Sequence, residues 1–285
     1  MTGVALSSLH KFLLYGFIRK DCPRVKEGIT LVAQAISRCH FEETDPESDE
    51  LVLMKLLELS ALCLRCEVGD LLTDESCWNI FVACYNLYHI TTDDVSFGLL
   101  RDTAGNTLAH IVLMLFSRPR VSRASKSAAP GGAATADATV AAGGAVLHET
   151  LGQKAGEGGL AQGPVSPVQP TKDGGGRRDK GTAEQEGVLV KLMRFLSLLS
   201  DPRSNGSAEC VLSLSLINIA LEAGGADLGR IPSLVRVMRG DLCKHLLQNS
   251  QTDDLDVLSL TLRVVFNLFN SIKDHLKVQL EVFLT

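Results

Sequence analysis

Twice between Glu50 and His89 the apolar residues return at intervals of three and four, and this rhythm constrains the chain more than any other feature. The first stripe runs through Leu51, Val52, Leu53, Met54, Leu56 and Leu57 to about Arg65. An Asp45-Pro46 turn opens it, and Asp49 is the predicted cap, with carboxylates at the positive end of the helix dipole. The second stripe starts at a Thr73 cap, carries Asp74 and Glu75 in its first turn, and places Cys77, Ile80, Phe81, Cys84, Leu87 and Tyr88 on one face. A chain patterned in this way buries helix against helix. No stretch alternates apolar and polar residues convincingly enough to predict a strand.

The same period extends in both directions. A first helix is predicted over residues 4–19, with Leu6, Leu9, Phe12, Leu13 and Phe17 as its stripe, and a second over 25–39 with Ile29, Val32, Ala33 and Ile36; these two are expected to pack antiparallel. Leu100, Ala104, Leu108, Ile111 and Leu115 mark a helix over 96–116. Composition then changes. The stretch 117–186 holds 13 of the 25 glycines and 5 of the 9 prolines, too little apolar surface to offset an ordering entropy of roughly 1–2 kcal/mol per residue. Helical patterning resumes with Leu189, Leu192, Met193, Leu196 and Leu199, and continues over 209–223 and 231–247. A stripe of Leu255, Leu258, Leu262, Val265, Phe266 and Phe269 follows, then a last amphipathic segment over 276–284. The expected architecture is all-α, an armadillo- or HEAT-like stack in two blocks: a helical domain over 1–116, a disordered Gly/Pro/Ala-rich linker over 117–186 and a helical domain over 187–285. No strict internal repeat is visible.

Charge narrows the partners. The chain carries a net charge of -5. The linker contains nine of the 28 Lys and Arg residues and seven of the 33 Asp and Glu residues, so the helical remainder stands at -7. Such a surface disfavours nucleic acid. Eight irregularly spaced cysteines without a secretory leader predict reduced thiols in the cytoplasm. The longest apolar run, Cys210 to Leu221, lies between Glu209 and Glu222 and falls short of the ~18–20 residues of a membrane span.

Particular words point further. Thr44-Asp45-Pro46, Ser48-Asp49-Glu50, Val52-Leu53-Met54-Lys55, Leu72-Thr73 and Glu75-Ser76 resemble the DCB (dimerisation and cyclophilin-binding) domain of large Arf guanine-nucleotide exchange factors, in particular the Golgi brefeldin-A-resistance, Gea and GNOM group. Leu99-Leu100-Arg101, Ala104, Thr107-Leu108 and residues 111–118 are similar to that domain's closing helix. Thr2-Gly3, Ala5-Leu6, Ser8 and Lys11-Phe12-Leu13 resemble its middle, so the family's first helices are expected to be missing. Arg194-Phe195-Leu196, Leu199, Asp201-Pro202, residues 241–246, Asp274-His275-Leu276-Lys277 and Gln279-Leu280-Glu281 resemble the HUS (homology upstream of the exchange domain) segment. The later HUS box and the exchange domain with its catalytic glutamate do not appear in the sequence.

The resemblance implies a regulatory region that self-associates, touches membranes peripherally at the Golgi, and meets small GTPases (Arf, Rab) and its parent's own exchange domain in vesicle-mediated transport. It implies no cofactor and no exchange activity for this stretch alone. Lys11 and Glu50 fall where the family's DCB domain carries charges implicated in pairing two copies. On a two-fold interface the Lys of one copy meets the Glu of the other twice over. The competing reading of these two is ordinary surface charge. The competing reading of the whole is a free-standing helical-repeat adaptor, unrelated to Arf, that binds a peptide or protein along its concave face.

Other candidates carry less. Cys63 and Cys66 form the only C-x-x-C, but a zinc site needs two more ligands from another pair such as Cys77 and Cys84, and a real structural site shows a second closely spaced pair. Cysteines on apolar helix faces are ordinarily core. His245 and His275 are expected at partly exposed helix positions. Arg118, Arg120, Arg123 and Lys126 suit anionic lipid, with Ser122 and Ser125 as kinase targets, against the ordinary reading of solvated linker charge. No phosphate-cradling glycine motif precedes a helix, and Gly174-Gly175-Gly176 leads into no apolar element.

Overall fold

The computed structural model describes residues 2–39, 46–90, 98–118 and 186–276. Among these residues ten α-helices follow one another: α1 (Thr2–Leu14), α2 (Val25–Ser37), α3 (Pro46–Arg65), α4 (Asp74–Ile90), α5 (Gly98–Ser117), α6 (Val188–Leu199), α7 (Ser207–Gly224), α8 (Pro232–Val237), α9 (Cys243–Asn249) and α10 (Leu255–Ile272). Among the described residues there is no strand. A π-helical turn, Met238–Leu242, joins α8 to α9 into one rod. The stretch read as linker lies outside the described residues except for Ser117, Arg118 and Glu186.

The helices form two layers. In one, α1, α3, α5, α7 and α10 stack in succession; in the other, α2, α4, α6 and the α8–α9 rod do the same. The layers meet where α2 lies on α3, α4 on α5, α6 on α7 and α9 on α10. This is the helical-repeat stack that the apolar stripes demand, since a helix flanked on two sides must be apolar on more than one face. α7 meets α5, α6 and α10, and its buried residues, from Cys210 to Leu221, surround it. By length and composition α7 and α10 could also cross a bilayer, but half of that stretch of α7 is buried by its neighbours in the stack.

Register is nearly constant from helix to helix. Arg118 reaches Gly69 across 49 residues, His245 reaches Ser197 across 48, Asn249 reaches Ser200 across 49 and Asn267 reaches Asn218 across 49. The Val188 amide donates to Asp74 across 114 residues and Lys191 pairs with Glu75 across 116. Setting aside the 67 residues from 119 to 185 leaves 47 and 49. Residues 119–185 therefore stand, in sequence, at a single connection of a repeat about as long as those of HEAT and armadillo proteins. The aromatic rings of Trp78, Phe81 and Tyr85 on α4 gather round Phe195 of α6 at 5.8, 5.8 and 4.9 Å, so one core continues across that connection.

Several local readings hold. The Thr73 hydroxyl accepts the Ser76 amide at 3.1 Å and α4 begins at the next residue. The stripes read on α2, α5 and α6 are buried throughout. Others shift. α3 starts at Pro46, a residue suited to a first turn, so Asp49 lies inside the helix instead of capping it. α1 ends at Leu14, because Gly16 at φ 66° turns the chain; Phe12 and Phe17 are left exposed and pack edge to face on each other. α1 rests on α3 and α2 on α4, in place of the antiparallel α1–α2 pair. The largest correction concerns α10, whose buried face is Val257, Thr261, Val264, Leu268 and Ile272. Leu255, Leu262 and Phe266 of the stripe read as core face outward, at 77%, 59% and 65% exposure. The helix has two apolar stripes, and periodicity alone does not say which one its neighbour covers.

Asp254 starts α10 and fastens it to α7. Its carboxylate accepts the amides of Asp256 at 2.9 Å and Val257 at 3.3 Å, and the Ser207 hydroxyl donates to it from the first turn of α7. These bonds, the Ser207 hydroxyl first, lower its pKa below the usual 3.8. A depressed carboxyl contributes stability above its unfolded pKa and loses it as pH falls through the folded one. Asp254→Asn is therefore expected to flatten the fall of melting temperature between about pH 5 and pH 2, read by circular dichroism. An acid limb as steep as the wild type's would assign that fall elsewhere.

Candidate functional site

Lys11 and Glu50 sit on neighbouring helices but are not brought together. Lys11 is exposed in the last turn of α1, beside a small cavity of about 180 Å³ shared with His10, Lys55 and Glu58. Gly3, at the other end of α1, lies against Val52, with its Cβ position 3.5 Å from Val52 Cγ2. Glu50, half-buried, therefore stands near the start of α1, roughly 10 Å along the helix axes from Lys11.

Two of the residues that resemble the HUS segment, Asp201 and His245, meet at the end of α6. His245, only 3% exposed, sets Nδ1 2.6 Å from the carbonyl of Ser197, and Asn249, one turn on, donates its amide to the carbonyl of Ser200 at 2.8 Å. A ring nitrogen facing a carbonyl carries the proton, so two side chains of α9 cap the carboxyl end of α6. Asp201 completes the join, 3.9 Å from His245 Nε2. The Arg203 amide bound to its carboxylate, together with the nearby His245 and the Ser204 hydroxyl, lowers its pKa below 3.8. The expected partly exposed His245 is thus corrected. It is buried against the Ser197 carbonyl, which also accepts the Ser200 hydroxyl at 2.8 Å, whereas His275 is exposed. Asn249 and the Asn267–Asn218–Glu222 network between α10 and α7 were not marked by any motif.

The cysteines belong to the core. Burial pushes the thiols of Cys63 and Cys84 up to about 12, and raises those of Cys66 and Cys77 as well. Cys66 turns its thiol to the carbonyl of Cys63 at 3.2 Å. Thiols held protonated in this way are poor nucleophiles and poor ligands. Among the described residues no three of His, Cys, Asp and Glu are placed to hold a metal ion.

Arg118 is the one described residue of the basic cluster. Its guanidinium folds back on the carbonyls of Leu64 and Gly69, at 3.3 and 3.2 Å, with Asp70 at 3.5 Å. It closes the carboxyl end of α3, where a cation favours the helix dipole. Arg120, Arg123, Lys126, Ser122 and Ser125 lie outside the described residues, as does the segment 277–284.

Residues 188–285 match the family described as Mon2/Sec7/BIG1-like, HUS domain. Across 99% of its length the chain is 27% identical to the ARF guanine-nucleotide exchange factor GNOM of Arabidopsis thaliana, and 25% identical to GNL1 of the same plant. Across its whole length it is 24% identical to the Golgi-specific brefeldin A-resistance guanine nucleotide exchange factor 1 homolog of Caenorhabditis elegans. It spans 22% of the length of each plant relative and 19% of the nematode one. The chain is therefore similar over nearly its whole length to large Arf guanine-nucleotide exchange factors, as their N-terminal regulatory region would be, and residues 188–285 are similar to the HUS domain of the Mon2/Sec7/BIG1-like kind.

Proposed function

We propose that this stretch is a self-associating regulatory module that performs no exchange by itself, recruits its parent protein to Golgi membranes and acts there on Arf signalling in vesicle transport. Likeness to Arf exchange factors across 99% of the chain carries the reading. The Golgi assignment leans on the nematode relative's description as Golgi-specific. The partners we assign are a second copy, the parent's exchange domain, and Arf and Rab GTPases. Alone, the purified chain is expected to leave GDP release from Arf at its spontaneous rate; acceleration would overturn the proposal for this stretch.

Self-association is tested by charge exchange at Lys11 and Glu50. If the two meet across a two-fold axis, Lys11→Glu or Glu50→Lys alone sets like charges face to face at both copies of the contact. Each exposed pair contributes ~0.2–1 kcal/mol, so the two copies together should weaken the dimer by about tenfold on reversal. Combining both substitutions in one chain restores opposite charges and should restore the dimer. Light scattering that gives the same mass for all four proteins would exclude this contact.

A further inference from the structure

Residues 2–39 are described without a break, and the turn between α1 and α2 is built within them. α1 closes on Gly16, whose φ of 66° lets the Phe17 amide donate back to the Phe12 carbonyl at 3.0 Å and the Gly16 amide to that of Leu13 at 3.3 Å. This is the Schellman closure of a helix, and the apolar contact that accompanies it is the edge-to-face pair of Phe12 and Phe17 at 5.9 Å. The closure explains why the two rings touch, but not why the tip stays apolar in water. Tyr15 and Phe17 are 68% and 67% exposed, with Phe12 and Leu14 about half exposed beside them. Single exposed apolar side chains are ordinary; four within six residues form a patch.

Cys22 ties this tip to the start of α2. Its thiol turns to the Phe17 carbonyl at 3.7 Å, and its own carbonyl accepts the Val25 amide at 3.3 Å, so the first turn of α2 is held beside Phe17. Residues 12–27 carry Arg19, Lys20, Arg24 and Lys26 against Asp21 and Glu27, a balance of +2 in a chain of net charge -5. Both acids are already engaged, Asp21 by Arg19 at 3.0 Å and Glu27 by Arg24. Lys20 and Lys26 are exposed and pair with no carboxylate among the described residues.

We propose that this turn is the chain's contact with an anionic lipid surface, with Tyr15 and Phe17 entering at headgroup depth and Lys20 and Lys26 reaching the lipid phosphates. Aromatic rings settle where apolar meets wet, and a lysine lays its stem along apolar surface while its ammonium reaches the charge. A second copy fits the patch less well, because a two-fold contact there would set the unpaired lysines against themselves. A protein partner fits less well too, since lysine is depleted at protein interfaces. The turn thereby serves the membrane recruitment proposed above, a reading on which this contact rests.

Flotation of the full chain with phosphatidylserine-containing vesicles, with phosphatidylcholine vesicles and with purified Golgi membranes tests the contact. Binding to the anionic vesicles that falls with salt, and none to phosphatidylcholine alone, is expected. A lysine beside such a surface is worth about fivefold in affinity, so Lys20→Glu/Lys26→Glu should bind at least about tenfold more weakly. Tyr15→Ser/Phe17→Ser should lose a comparable factor. All four residues are exposed, so melting temperatures should hold. Leu198→Ser, which removes an apolar side chain 55% exposed on α6, should float as the wild type does. Undiminished flotation of either double variant, or equal loss in Leu198→Ser, would overturn the contact and leave recruitment in place. So would binding to Golgi membranes without binding to the anionic vesicles, whereas binding to neither would overturn both. A lower mass of Tyr15→Ser/Phe17→Ser in light scattering would give the turn to a second copy and overturn the lipid contact.

Discussion

Replacing Phe81 with alanine is expected to cost the whole stack about 3–5 kcal/mol, because it empties a fully buried aromatic site at the join between the two halves of the chain. Phe81 is 0% exposed, stacks on Trp78 at 6.0 Å and meets the edge of Phe195 at 5.8 Å. Phe195 lies beyond residues 119–185, so the lost contacts include those between α4 and α6, across the join. Trp78 is the chain's single tryptophan, which makes its fluorescence a local reporter of this join, while far-ultraviolet circular dichroism follows all the helices. In urea both signals should report one transition in the wild type and should move together to lower denaturant in Phe81→Ala. A shift in tryptophan signal alone would mean that the halves unfold separately. A loss below about 1 kcal/mol would mean that the cluster closes over the gap.

The cooperativity tested there was only partly legible in the sequence. The faces of α2, α4, α5 and α6 could be read because the most regular apolar stripe of each is also a buried one, so that Ile29, Phe81, Leu108 and Leu192 lie where the spacing puts them, although Leu99, Leu113 and Leu198 stay exposed. α10 defeated the same reasoning. Leu255–Leu262–Phe266 and Val257–Val264–Leu268 are both apolar at helical spacing, and only the position of α7 decides between them. The repeat of about 49 residues was hidden for a different reason. It lives in backbone register and in single contacts such as Asn249 with Ser200, without recurring residue types, and the 67 residues from 119 to 185 interrupt the count. His245 is buried by its bond to the Ser197 carbonyl, 48 residues away, which leaves no mark in the sequence around it. Lys11 and Glu50 were marked only by family wording, since the apolar period does not distinguish one surface charge from another.

Alanine at Gly69 and alanine at Gly28 should have opposite signs, and the difference measures how tightly the end of α3 is closed. A Cβ at Gly69 would stand 2.3 Å from the carbonyl oxygen of Leu64, 2.8 Å from its carbon and 3.0 Å from the carbonyl oxygen of Cys63. All three are backbone atoms of a helix whose Cys66 carbonyl already accepts the Gly69 amide at 2.9 Å, so no side chain can swing aside to make room. The turn Gly69–Leu71 must move, and it takes with it the carbonyl that accepts from Arg118. Overpacking costs ~1–3 kcal/mol and a disturbed charged hydrogen bond ~1.5–3 kcal/mol, so Gly69→Ala should lose about 3 kcal/mol or more. Arg118→Ala gives up the hydrogen bonds without the collision and should lose less. Gly28, inside α2, has nothing within 4 Å of its Cβ position, and there alanine should raise stability by ~0.8–1.0 kcal/mol through helix propensity. Thermal melts of the three variants under one set of conditions check the order. If Gly69→Ala melts with Gly28→Ala, or above Arg118→Ala, the approach of Leu64 to Gly69 is looser than the 2.3 Å separation requires.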